Sequence, residues 1–192
     1  MTPNPLSIQE HFASLSAETK FRLANLQLLL MDVDGVLTDG RVIMANDGVE
    51  SKQFSTRDGF GLYWIRKLGV KTGVISGRSS AATETRCQDL RLDEIHLGQT
   101  RKLPVFESII QRLNLDPQRV AFIGDDVIDL AVMQHCGVSA CPLDAHEEVL
   151  RRADIILSRP GGHGAVRCFV DLYLLAAGRW ESSLKDILDG NF

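Results

Sequence analysis

Six short apolar runs, at residues 26–31, 70–76, 95–97, 120–123, 138–141 and 154–157, constrain the fold of this chain more tightly than any other feature. Runs this short and this largely apolar suit strands buried on both faces rather than helices. Segments with helical spacing separate them, at 58–69, from Ser79 or Ser80 onward, and at 100–113, 128–135 and 146–152, with Gly69 and Gly137 as stops. A last amphipathic helix spans 164–177 and carries Val166, Phe169, Val170, Tyr173 and Leu174 at core spacing. Strands alternating with helices predict an α/β fold, a doubly wound Rossmann-like parallel sheet whose ligands lie beyond the carboxyl ends of the strands. One interruption is expected: Asn46-Asp47-Gly48 between residues 41–44 and 49–54 has the composition of a β-hairpin turn.

At 192 residues the chain fits one domain, placed at 26–178, large enough to need no disulfide or structural metal. Ser7-Ile8-Gln9-Glu10 reads as a capping box, so residues 1–25 are expected to form a helical extension, and residues 179–192 a polar, mobile tail. The net charge of −4 gives no basic footprint for nucleic acid or an anionic membrane. No apolar run approaches the ~18 residues of a membrane span, and the first residues carry no cationic, apolar signal core. Cys87, Cys136, Cys141 and Cys168 lack paired spacing and are expected as free, packed thiols in a cytoplasmic protein.

The polar clusters fall at predicted carboxyl ends of strands. Asp32-Val33-Asp34-Gly35 follows the first run, Ser76-Gly77-Arg78 the second, and Gly124-Asp125-Asp126 with Asp129 a later one, while Lys102 opens a helix between the last two. Two unpaired carboxylates at a buried strand tip would cost several kcal/mol each without a cation or hydrogen bonds, so a functional reading is favoured over two caps. Converging acids suit a hard divalent cation with open positions, namely Mg²⁺, which takes phosphate oxygens as further ligands. Ser76, the close approach allowed by Gly77, and the Lys102 charge would then face an anionic oxygen. Taken singly, Ser76 and Lys102 are ordinary turn and surface residues, Arg78, Asp126 and Asp129 are as easily surface charge or helix-start acids, and only the ordered set changes that. The five histidines show no metal-ligand spacing.

The set resembles the haloacid dehalogenase superfamily of phosphohydrolases, whose four motifs match as Asp32-Val33-Asp34-Gly35-Val36-Leu37-Thr38, Ser76, Lys102 and Gly124-Asp125-Asp126-Val127-Ile128-Asp129. The resemblance implies that Asp32 attacks phosphorus, forming an aspartyl-phosphate, and that Asp34 is the acid and base. It implies Mg²⁺ on Asp32, the backbone carbonyl of Asp34, and Asp125, with Thr38, Ser76, Gly77, Arg78 and Lys102 as phosphate or substrate contacts and Asp126 and Asp129 behind them.

Cap domains of that superfamily enter between the first and second motifs or between the second and third, and this chain has room for neither. It resembles the capless 3-deoxy-D-manno-octulosonate 8-phosphate phosphatases, supported by Thr56-Arg57-Asp58-Gly59 and Gly161-Gly162-His163-Gly164-Ala165-Val166-Arg167. That resemblance implies a small sugar-acid phosphate as substrate and a homo-oligomer, a homotetramer joined through the hairpins. His163 and Cys168 stand where that family has arginine and glutamate, which leaves phosphates of nine-carbon 2-keto-3-deoxy sugar acids as an alternative substrate. A phospho-acceptor receiver module is the alternative of another class, and Asp34 speaks against it, since a receiver needs no second acid there.

Overall fold

The structure is a computed structural model and describes residues 7–191. Two helices, α1 (Ile8–Ser14) and α2 (Ala17–Ala24), precede β1 (Leu28–Met31). A two-stranded hairpin follows, β2 (Ile43–Met44) and β3 (Glu50–Ser51), then α3 (Thr56–Lys67), β4 (Lys71–Ile75), α4 (Ala81–Asp89) and β5 (Glu94–His96). The second half runs α5 (Lys102–Leu113), β6 (Val120–Ile123), α6 (Leu130–Met133), β7 (Val138–Cys141), α7 (Glu147–Leu150), β8 (Ile155–Ile156), α8 (Ala165–Ala176) and α9 (Trp180–Leu188).

Six strands form one parallel sheet in the order β5-β4-β1-β6-β7-β8. The chain winds outward from β1 through β4 to β5, then returns and winds the other way through β6, β7 and β8. Its switch point therefore lies between β1 and β6, which is where doubly wound sheets bind ligands. The run Leu28-Leu29-Leu30-Met31 is apolar throughout because both its faces are covered: Leu29 and Met31 join one core, Leu28 and Leu30 the other. The first core is closed by α2, α3 and α8, the second by α5, α6 and α7. Phe169, Val170, Leu172 and Leu174 of α8 are fully buried, each worth ~1.5–3 kcal/mol of burial.

The doubly wound sheet is the predicted fold, with differences at its edges. The segment expected as one helix over 128–135 is a tight 3₁₀ turn, Val127–Asp129, followed by the single turn of α6. There Asp129 folds its carboxylate back onto the backbone N–H groups of Asp125 and Asp126 at 3.0 and 3.4 Å, a capping box with Asp126. The hairpin strands are shorter than expected, pairing only Ile43 with Ser51 and Met44 with Glu50. Before β1 there are two helices packed on α8, the first opened by the Ser7–Glu10 capping box, and Leu23 of α2 is wholly buried. The segment after Gly178 is the helix α9, whose Trp180 ring lies 6.2 Å from that of Trp64. All four cysteines are free and buried. Among the described residues no helix is long and apolar enough to cross a membrane.

Candidate active site

The Asp32 backbone N–H still donates to Ile123 on β6, at 2.9 Å, so the tips of β1 and β6 are keyed together where the two halves of the sheet diverge. Asp32 is 5 % exposed and accepts from the Val33 N–H at 2.7 Å. The chain then folds tightly, with the N–H groups of Leu37 and Thr38 returning to the Val33 carbonyl. Gly35 makes this possible: its φ is +85°, and a Cβ there would lie 2.0 Å from an Asp125 carboxylate oxygen. Thr38 uses its hydroxyl inside the loop, accepting from the Gly40 and Gly35 N–H groups at 3.2 and 3.4 Å.

Lys102, the first residue of α5, is 2 % exposed and points its ammonium between two carboxylates, 2.9 Å from Asp32 Oδ2 and 2.6 Å from Asp129 Oδ1. A buried ammonium holds its charge only with such partners. Burial alone would lower its pKa, but Asp129 and Asp32 outweigh that and hold Lys102 above the ordinary lysine value. Asp129 is fully buried and divides its two oxygens between Lys102 and the Asp125 and Asp126 backbone, so it orients the lysine. Asp126 is exposed and caps the 3₁₀ turn, accepting from Val127 at 2.7 Å.

Carboxylate oxygens of Asp32, Asp125 and Asp129 lie within 4.8 Å of one another. One lysine faces three acids there, and Asp125 Oδ1 is buried with no hydrogen-bond partner. Burial, then the charges of Asp32 and Asp129, push the Asp125 carboxyl up to about 8, while burial raises Asp32 to about 6 against the pull of Lys102. Crowded oxygen donors with an orphaned carboxylate fit a hard divalent cation, and Mg²⁺ matches such a donor set.

Ser76, 2 % exposed, closes β4 and accepts from the Arg78 N–H at 3.3 Å. Gly77 lies against Ile128, 3.8 Å from where its Cβ would be. Arg78 reaches back across the site, its Nε 3.6 Å from Asp34 Oδ2 and its Nη2 2.8 Å from Glu50 Oε2. Asp34 is also hydrogen-bonded by Lys52, whose side chain is fully buried and which lies 3.0 Å from Glu50 Oε1. Sequence reasoning did not single out Lys52 or Glu50, although their alternation past the hairpin turn puts both on one face.

The Gly161-Gly162 pair packs flat on the first loop: a Cβ at Gly161 would lie 1.8 Å from the Gly35 carbonyl oxygen. Asp58, buried on α3, fixes the residues that follow by accepting from the Gly164 and Arg167 N–H groups at 3.1 and 2.7 Å. Beside them a cavity of about 450 Å³ is lined by Asp39, Gln53, Thr56, Arg57 and His163, among others.

A doubly wound sheet with a carboxylate cluster and a buried lysine at its switch point suits phosphoryl transfer, and residues 61–137 match the family described as haloacid dehalogenase-like hydrolase. The chain is 38 % identical over 177 residues, 92 % of its length and 94 % of the relative's, to 3-deoxy-D-manno-octulosonate 8-phosphate phosphatase KdsC of Escherichia coli strain B / BL21-DE3. The crystal structure of that phosphatase from Yersinia pestis superposes with a TM-score of 0.85 at 38 % identity, covering 87 % of this chain and 90 % of the other. The one from Moraxella catarrhalis, in complex with a magnesium ion, a phosphate ion and a KDO molecule, gives 0.86 at 32 % identity over 88 % and 98 %. This chain belongs to the haloacid dehalogenase-like hydrolases, in the family of the 3-deoxy-D-manno-octulosonate 8-phosphate phosphatases.

Proposed function

We propose that this chain is a Mg²⁺-dependent phosphomonoesterase that hydrolyses 3-deoxy-D-manno-octulosonate 8-phosphate through an aspartyl-phosphate on Asp32. The observation that carries this reading is the buried Lys102 shared between Asp32 and Asp129 beneath the unpartnered Asp125 carboxylate. Asp32 attacks phosphorus. Lys102 holds Asp32 ionised and, with Ser76 and the Gly77 backbone, faces the oxygens of the phosphoryl group. Asp34 protonates the departing sugar oxygen and then takes a proton from the water that cleaves the acyl phosphate. Bound to Asp32, Asp125 and the Asp34 carbonyl, Mg²⁺ would supply charge neutralisation at the phosphoryl oxygens. Asp129 positions Lys102, and Arg78 stands at the mouth for the anionic substrate.

The 450 Å³ cavity with Arg57 and His163 is the size and charge for a sugar acid's carboxylate end. The hairpin exposes Val42, Ile43, Met44 and Val49 by 43–58 %, an apolar surface that supports assembly of copies through the hairpins, as a homotetramer. Four reduced, buried thiols support a cytoplasmic location. A panel of sugar phosphates assayed with Mg²⁺ and with EDTA tests the reaction and the substrate together: release favouring this octulosonate phosphate and abolished by EDTA is expected, and no release from any member refutes it.

A further inference from the structure

We propose that Lys52, reaching in from the hairpin, is the positioning residue for Asp34, and that it sets how well Asp34 serves the leaving group. The inference rests on the phosphatase reading above. Four charged side chains form a closed ring of alternating sign: Asp34, Lys52, Glu50 and Arg78. Lys52 donates to Asp34 Oδ1 and lies 3.0 Å from Glu50, whose other oxygen receives Arg78 at 2.8 Å. The Lys52 side chain is fully buried, whereas that of Arg78 is 52 % exposed. A wholly desolvated ammonium stays in place only while its acceptors do, so the contact to Asp34 is the rigid one of the two and the arginine contact the adaptable one.

Strand alternation carries Glu50 and Lys52 to the same face of the hairpin, toward the site, and leaves Val49 facing outward at 58 % exposure. The hairpin thereby fixes one oxygen of Asp34. Thr38 lies 3.5 Å from that same oxygen, Oδ1, and Oδ2 has no hydrogen-bond partner among the described residues. Asp34 is thus held at Oδ1, while Oδ2, buried and without a hydrogen bond, faces only the half-exposed Arg78 at 3.6 Å, so it is the oxygen left to exchange a proton once that arginine gives way.

Removing Lys52 alone would leave the ring with net negative charge and weaken anion binding as well. The charge-matched comparison is therefore wild type against Glu50→Gln combined with Lys52→Met, which keeps the native net charge, with Glu50→Gln alone, in which Lys52 still holds Asp34, as the control for the lost glutamate. Single-turnover release of the alcohol from 3-deoxy-D-manno-octulosonate 8-phosphate is expected to be ~10²-fold slower in the double variant, as misplacement of a catalytic group by about 1 Å costs. Release of p-nitrophenolate from p-nitrophenyl phosphate, whose leaving group needs no proton, should differ less than about 3-fold. Lys52→Arg should recover most of the rate that Lys52→Gln loses, and this pair decides the matter if the double variant does not fold. Equal rates in the two variants, or equal losses on both substrates, overturn the role of Lys52. Wild-type protein that cleaves neither phosphate with Mg²⁺ overturns the phosphatase reading itself.

Discussion

Replacing Lys102 with methionine keeps the volume of the side chain and removes its charge. In the native site that charge faces Asp32 at 2.9 Å and Asp129 at 2.6 Å, with the lysine only 2 % exposed. Methionine leaves two buried carboxylates with no cation between them, and breaking a buried pair in this way costs about 3–5 kcal/mol. For a domain of this size each kcal/mol lowers Tm by about 2–4 °C, so the variant should melt ~6–20 °C below wild type in EDTA at pH 7.5. The deficit has a sign in pH. Without the lysine the folded-state pKa values of Asp32 and Asp129 rise, the native state binds more protons than the unfolded chain, and the loss shrinks as pH falls toward the carboxylate range. Differential scanning fluorimetry at pH 7.5 and pH 5 reads both effects, and Mg²⁺ should restore more stability to the variant than to wild type. A Tm within about 2 °C of wild type at pH 7.5 in EDTA would show that Lys102 does not compensate these acids.

Asp125→Asn should abolish most of the Tm gain that Mg²⁺ gives the native protein, with isothermal titration showing at least a tenfold weaker affinity; an unchanged affinity would remove Asp125 from the cation site. In the cation-free protein the Asp125 carboxyl is raised to about 8, so the fold loses stability as pH climbs from the ordinary carboxylate range to that value. Mg²⁺ must displace the proton, and its apparent affinity should therefore weaken by up to tenfold per pH unit below about 8, measured by titration at pH 6.5, 7.5 and 8.5. Gly161→Ala drives a Cβ to 1.8 Å from the Gly35 carbonyl oxygen and should cost about 1–3 kcal/mol in Tm measurements while displacing the Asp34 loop, with turnover falling more steeply than stability. Ile43→Lys with Met44→Asp should convert a multimer to a smaller species by light scattering, and an unchanged mass would remove the hairpin from the interface.

The parallel strands were legible because a strand covered on both faces has no polar side to show: β6 and β7 have the bounds that their apolar runs predict. Asp32, Ser76, Lys102 and Asp125 were legible as an ordered series, and the switch point explains why: winding outward from β1 and back to β6 returns those separated residues to one end of the sheet. What escaped the sequence depends on contacts across elements. Lys52 reads as a surface lysine in a polar strand until the hairpin folds over Asp34. Asp58 reads as a first-turn acid of α3, yet its carboxylate serves the start of α8, 106 residues away. Asp129 reads as a group behind the lysine, and its second task, capping the start of its own turn, does not show, since a capping acid and a lysine partner look alike in sequence.

The central claim is that Asp32 is the nucleophile of a Mg²⁺-dependent phosphatase. Asp32→Asn keeps the shape of the side chain and the hydrogen bond from Val33, and removes the attacking oxygen's charge. Phosphate release from 3-deoxy-D-manno-octulosonate 8-phosphate should occur with wild-type protein and Mg²⁺, and should fall by more than about 10³-fold in the variant. Release by Asp32→Asn at the wild-type rate would contradict it.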